Sequence, residues 1–159
     1  MAKLDTAQMR DLLAPVLPAG ETLQHAAYGV RQPNILLMLP AFALAILPGV
    51  ILTQMLTRHY VVGQSRNYLM VAEISPKWRS MMTAVDAVRD RWAVSINTLR
   101  GQPKTVRSGP VFTHIAFGTG QDGFKAKFHR MFSRTNRAEA EAIGAVVKAA
   151  TDRRMRARH

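Results

Sequence analysis

The side chains in this sequence most able to do chemistry are cations, and the chemistry open to them is the holding of anions. In FKAKF, Lys125 and Lys127 alternate with Phe124, Ala126 and Phe128, so on a strand both ammonium groups share one face. Arg130, Arg134 and Arg137 follow closely, Arg100, Lys104 and Arg107 cluster near another strand end, Arg66 joins the candidate anion contacts from an earlier turn, and Arg153, Arg154, Arg156 and Arg158 crowd the C-terminal tail. Against 22 Lys and Arg stand 10 Asp and Glu, a net charge of +12 that implies an anionic partner, either phosphate backbones or acidic lipid headgroups. Near an anionic leaflet each such residue contributes about 1 kcal/mol. The bland alternative is a solvated basic surface with no ligand. Nucleic acid ranks third, because aromatics are 7% and spaced as core, with no RNP, KH or zinc-finger pattern.

Other reactive groups lack partners at useful spacing. The absence of cysteine removes disulfides, thiolate zinc sites and cysteine nucleophiles. His25, His59, His114, His129 and His159 show no metal-ligand spacing, and His114, beside Phe112 and Ala116, reads as a half-buried, hydrogen-bonded histidine. No Ser/His/Asp set and no pair of acids is placed for acid–base work; Asp86 and Asp90 alternate with Arg89 and Arg91 as on a solvated, salt-bridged face. Residues 118–123 (GTGQDG) satisfy G-x-G-x-x-G, but a dinucleotide site needs a helix next, and an alternating strand follows. A hairpin turn is expected there, and no enzyme, no cofactor and no metal.

The elements that must position the cations begin with the least polar stretch. Residues 1–57 hold three bases and three acids, so the whole surplus lies in 58–159. Just before that boundary, Gln32 to Thr57 carries no ionisable side chain and contains ILLMLPAFALAILPGVILTQML. A helix apolar on every side belongs in lipid or deep inside a large assembly, and a chain of 159 residues is too small to surround one alone. The expected anchor runs from Ile35 to Leu56, with Ile35, Leu36, Leu37, Phe42, Leu44, Ile46, Leu47, Val50, Ile51 and Leu52 in contact with lipid. As one helix the 26 residues would cover roughly 39 Å, more than the ~30 Å hydrocarbon core. Pro40 and Pro48-Gly49 complicate this. Either a kinked helix spans the bilayer, or arms Asn34–Leu47 and Val50–Val62 form a re-entrant or interfacial hairpin whose flanks stay on one side. Bases close to the downstream end (Arg58, Arg66, Lys77, Arg79) place the larger part on the cytoplasmic side of the cell membrane. The opening residues lack the apolar core of a secretory signal.

Elsewhere local patterns predict short elements. Asp5 or Thr6 can cap a helix with Met9, Leu12, Leu13 and Val16 as its stripe, ended by Pro15, Pro18 and Gly20. Thr22–Val30 has strand character; His59–Val62 and Asn67–Ile74 flank a turn at 63–66; Trp92–Leu99, Val111–Phe117 and Phe124–Phe128 are further strands. Asn136 with Glu139 three residues on reads as an N-cap for an amphipathic helix through Ala150, whose face is Ala140, Ile143, Val146, Val147 and Ala150. Strands in succession closed by a helix indicate an α+β fold with an antiparallel sheet.

The apolar segment running into RHYVVGQSRNYLMVAEI, the late pair VFTHIAF and FKAKFHRMF, the closing NRAEAEAIGAVVKAA and the leading LLAPVLPAGETLQHAAYGVRQP together resemble bacterial membrane-associated proteins with a pleckstrin-homology-like domain. Such proteins usually carry a threonine-aspartate-arginine-like turn after the first strand, where this sequence has residues 63–66 and only Arg66 corresponds. The resemblance implies a bent antiparallel sheet or partial barrel capped by the C-terminal helix and preceded by an apolar helical segment, with lipid, peptide or protein binding and no single activity. The expected organisation is a leading segment 1–33, an apolar membrane segment 34–57, a PH-like domain 58–150 and a basic tail 151–159. The function expected is a non-enzymatic, membrane-anchored module that binds anionic headgroups or a partner protein. An accessory subunit of a larger membrane or soluble assembly is the alternative.

Overall fold

The computed structural model describes residues 4–76, 85–100, 102, 106–120 and 123–152. Lys77, Arg79, the turn at 101 and 103, Lys104, Arg153, Arg154, Arg156 and Arg158 lie outside the described residues, as does the side chain of Ile35.

Helix α1 (Thr6–Leu13) starts where the sequence places its cap: Asp5 accepts from the Gln8 amide at 2.7 Å, and the Gln8 side chain returns a bond from the Asp5 amide at 3.0 Å. This reciprocal box satisfies two amides that a helix start leaves open. Strand β1 (His25–Arg31) follows, then helices α2 (Ile35–Leu44) and α3 (Ile46–Leu56), then β2 (Arg58–Gln64), β3 (Tyr68–Pro76), β4 (Val85–Ser95), β5 (Arg107–Ser108), β6 (Phe112–Phe117) and β7 (Phe124–His129), and finally α4 (Arg134–Asp152).

The seven strands form one antiparallel open sheet in the order β4-β3-β2-β1-β7-β6-β5. The fold is therefore α+β with a C-terminal helix. One expectation is corrected: the apolar segment does not precede the sheet. Strand β1 lies at the sheet's centre, paired along its length with β2, so the apolar residues are an insertion between two neighbouring strands and the sheet crosses the division drawn at 57/58.

Both faces of the sheet carry a core. Under α4, Ile115, Phe117, Phe124 and Phe128 meet Ala140, Ile143, Val147 and Ala150. The opposite face buries Met9 and Leu13 of α1 against Ala26, Tyr28, Val61, Met70 and Ala72. Gly63 allows the second contact, because a Cβ there would stand 2.5 Å from the Leu13 methyl. Strand β4 ends at Ser95, and Ile96–Leu99 turns into a short 3-10 helix that sinks Ile96 and Leu99 into the first core; a strand through Leu99 is thus corrected.

Helix α4 does more than cover apolar area. Strand β1 meets β7 only at Val30 opposite Lys127, which would leave β1 amides and carbonyls open. Asn136 fills that gap: its buried amide accepts from the Tyr28 N–H at 2.6 Å and donates to the Tyr28 carbonyl at 3.1 Å, as a neighbouring strand would. Glu139 accepts from the Ala26 N–H at 2.9 Å and contacts His25 Nδ1 at 3.1 Å. The residues that looked like a capping pair therefore stitch the helix to the sheet. The cap is made by Ser133, whose hydroxyl accepts from the Asn136 amide at 2.9 Å.

Candidate functional site

The two apolar helices form a hairpin. Their roots are neighbours, because Arg31, the last residue of β1, stands opposite Arg58, the first residue of β2. Both flanks of the segment therefore leave from one place on the sheet. The turn is at Ala45, which is extended (φ −168, ψ 149), rather than at Pro48-Gly49. The proline acts four residues upstream: its ring clashes with the carbonyl of residue i−4, here Leu44, so α2 must stop there. Pro48 then sits in the first turn of α3, where a missing amide hydrogen costs little. Pro40 stays inside α2, and the second arm ends at Leu56, with Arg58–Val62 in strand β2.

Gly49 becomes the contact between the two helices, since a Cβ on it would lie 2.5 Å from the Phe42 ring. The Thr53 hydroxyl donates to the Gly49 carbonyl at 2.8 Å and the Thr57 hydroxyl to the Thr53 carbonyl at 2.7 Å, so these polar groups need no water. Met38 is buried, but most of the other described side chains point outward. Leu36, Leu37, Leu39, Leu44, Ile46, Leu47, Val50, Ile51, Leu52, Met55 and Leu56 are exposed, Leu44 by 88% and Ile46 by 77%. Among the described residues, the exposed large apolar side chains outside the hairpin are Val111 and Met131. At 10 and 11 residues the helices are about 15 and 17 Å long, half the ~30 Å hydrocarbon thickness. Among the described residues no helix is long and apolar enough to cross a membrane.

The cations divide by position. Arg31 and Arg58 are exposed at the hairpin root; Arg58 contacts Glu73 at 3.5 Å, and no carboxylate among the described residues lies within 4.0 Å of Arg31. Arg31 and Lys125 line an open cleft of about 420 Å³ with Gln102, Thr119, Phe117 and Phe124. A smaller one of about 200 Å³ is lined by Arg31, Gln32, Pro33, Leu56 and Arg58. In β7 the alternation is as the sequence reads: Phe124, Ala126 and Phe128 are buried, Lys125 is exposed and Lys127 half-buried. The glycine loop joins two antiparallel strands, with Gly118 (φ 76) and Gly120 (φ 62) in the left-handed region that glycine tolerates. Arg107 faces solvent on β5.

Other predicted contacts lie elsewhere or are already engaged. Arg66 is exposed in the β2–β3 turn, about 20 Å along β2 from the hairpin root at ~3.3 Å per residue. Arg130 donates to the Gly109 carbonyl at 2.7 Å and pairs with Glu141, which also accepts from Arg137 Nε at 3.1 Å. These two guanidinium groups hold the Glu141 carboxyl below the usual range. Arg100 and Arg134 are exposed, and no carboxylate among the described residues is within 4.0 Å of either.

Local sequence reading used Arg58 for orientation alone and counted neither Arg31 nor Arg58 among the anion contacts. Each is an isolated base at the edge of the apolar run, and only the strand pairing brings them together. No family model, curated protein or solved structure matches this chain.

Proposed function

We propose that the protein is a membrane-anchored module of the pleckstrin-homology-like type, in which the α2–α3 hairpin enters one leaflet and basic residues around its root meet anionic headgroups. The observation that carries this reading is the hairpin itself, where eleven large apolar side chains are exposed although each sheet face has a core of its own. Burying eleven such side chains in hydrocarbon, at ~1 kcal/mol or more each, contributes on the order of 10 kcal/mol. Its length suits half a bilayer, and its two flanks depart from adjacent strands, so the sheet stays on one side, on this reading the cytoplasmic side of the cell membrane. Arg31 and Arg58 stand where headgroups begin, in the manner of bases that reach from an apolar segment toward phosphate. The order of seven antiparallel strands followed by a helix is compatible with the PH-like resemblance.

Flotation of the full chain with phosphatidylcholine vesicles, with and without anionic lipid, tests the proposal. Binding to both, tighter with anionic lipid, is expected. Equal binding to the two would remove the headgroup role. A homogeneous, soluble oligomer extracted without detergent would replace the lipid by protein as the hairpin's partner.

A further inference from the structure

The membrane reading gives a use to a row of side chains on the outer face of β5, β6 and β7. Arg107 lies opposite His114, His114 opposite Lys127, and Lys127 opposite Val30. Residues directly opposite one another project from the same face, and neighbouring strands are about 4.8 Å apart, so the three side chains form a line across the sheet. The line passes Val30, one residue from Arg31 at the hairpin root, and goes on to His59 on β2, and so runs at the level where headgroups would lie. Lys125 sits two residues from Lys127 on the same face, on the hairpin side. The Phe112 ring anchors the row, with Lys127 Nζ 5.9 Å and the His114 ring 6.3 Å from its centroid.

Among the described residues the charged groups that act on His114 are positive: Lys127 and Lys125 from β7 and Arg107 from β5. The other histidines on that face are His129, opposite Phe112, and His59, which lies on β2 opposite Val30 and contacts the Tyr28 hydroxyl. Among the described residues no carboxylate lies within 4.0 Å of Arg107, Lys125 or Lys127. Two cations thus flank His114 on neighbouring strands with no carboxylate at hand, an arrangement that an anion would complete. Burial first, then Lys127, Arg107 and Lys125, keep the His114 pKa below its ordinary value, and the imidazole is neutral at pH 7.

We propose that Arg107, His114 and Lys127 form a phosphate-binding row that takes up one solvent proton at His114 as it engages an anionic lipid headgroup, so that membrane binding tightens as pH falls. A phosphate beside the ring favours the imidazolium and raises its pKa in the complex. Between the free and bound pKa values affinity then climbs with falling pH, by at most about tenfold per pH unit for one proton.

The test is binding of the full chain to phosphatidylcholine vesicles with and without phosphatidylglycerol, whose charge is constant over the range, at about pH 7.5 and about pH 5.5. Wild type is expected to tighten on the anionic vesicles by roughly fivefold or more on acidification and to stay level on the neutral ones. His114→Gln loses the dependence, binding anionic vesicles no more tightly at the lower pH than at the higher, His129→Gln retains it, and Arg107→Gln weakens anionic binding at both values. An NMR titration of His114 in the unaltered protein, free and vesicle-bound, gives the same answer without a variant: its pKa must rise on binding. A dependence that survives His114→Gln, or an unmoved pKa, overturns the row while leaving the anchor standing; no flotation with any vesicle overturns the anchor. Proton uptake with vesicles but not with millimolar inorganic phosphate is expected, and equal uptake with phosphate alone overturns the assignment to lipid.

Discussion

Helix α4 and the α2–α3 hairpin are both helical additions to one sheet, and they treat their apolar residues in opposite ways. In α4, Ala140, Ile143, Val147 and Ala150 lie on one face that the sheet covers, while Glu141 and Lys148 face water. In the hairpin the apolar residues surround both helices, and apart from Met38, Gly49 and partly covered groups such as Phe42, they are bare. A stripe declares a partner within the chain. A helix apolar all round declares one outside it. The difference separates the part of the molecule that makes the fold from the part that makes the contact.

The comparison breaks most sharply at the hairpin tip. Leu44→Asp with Leu47→Asp should lower vesicle affinity by roughly a hundredfold or more, since each charge costs about 2.5–3.5 kcal/mol in the hydrocarbon, with the urea midpoint unchanged. A shifted midpoint would mean that the tip packs against the domain. Shortening Ile143 to Ala should act the other way, costing about 2–4 kcal/mol of unfolding free energy while the folded fraction floats as before. Equilibrium urea unfolding read beside flotation distinguishes the two.

The stitch between α4 and β1 is next in size. Asn136→Ala leaves the Tyr28 N–H and carbonyl without their partner and should cost about 1–3 kcal/mol, with faster amide exchange at Tyr28 than at Ala27. Unchanged exchange at Tyr28 would show that another group takes over the pairing.

The smallest effect is on pH dependence. Burial, with a lesser push from Arg89, lowers the His59 pKa, and its Nδ1 contacts the Tyr28 hydroxyl. The unfolded chain takes up a proton there below about pH 6.5, whereas the folded protein resists it, so unfolding free energy should decline as pH falls through that value toward the lower folded pKa. His114 contributes in the same sense. His59→Gln should flatten the decline in urea titrations; an identical slope would remove His59 as a source.

What was legible in the sequence was whatever a local period encodes. The Asp5 cap, the alternation in FKAKF, the stripe of α4 and the turn in the glycine loop all depend on neighbours within a few residues. What was not legible depends on pairing across distance. Thr22–Val30 read as a strand, but its place at the centre of the sheet follows from partners beyond the apolar insertion. Asn136 carries the chemistry of a cap and serves a strand 108 residues away. Pro48 announces a break correctly and displaces it upstream, because the clash is with the preceding turn. The cations show the same limit: a list of bases does not say that Arg31, Arg58, Lys125 and Lys127 gather near one end of the sheet while Arg66 lies at the other end of β2.

The central claim is that the hairpin lies in hydrocarbon with both flanks in water on one side. The sequence has no cysteine, so single labels are unambiguous. Spin labels at Leu44→Cys, Gln32→Cys and Thr57→Cys, read by power saturation on vesicles, measure this directly. A label at position 44 that is open to oxygen and closed to an aqueous nickel chelate, with both root labels open to chelate added outside, is the expected result. A tip label as open to the chelate on vesicles as in solution, or one root label closed to external chelate, would contradict it.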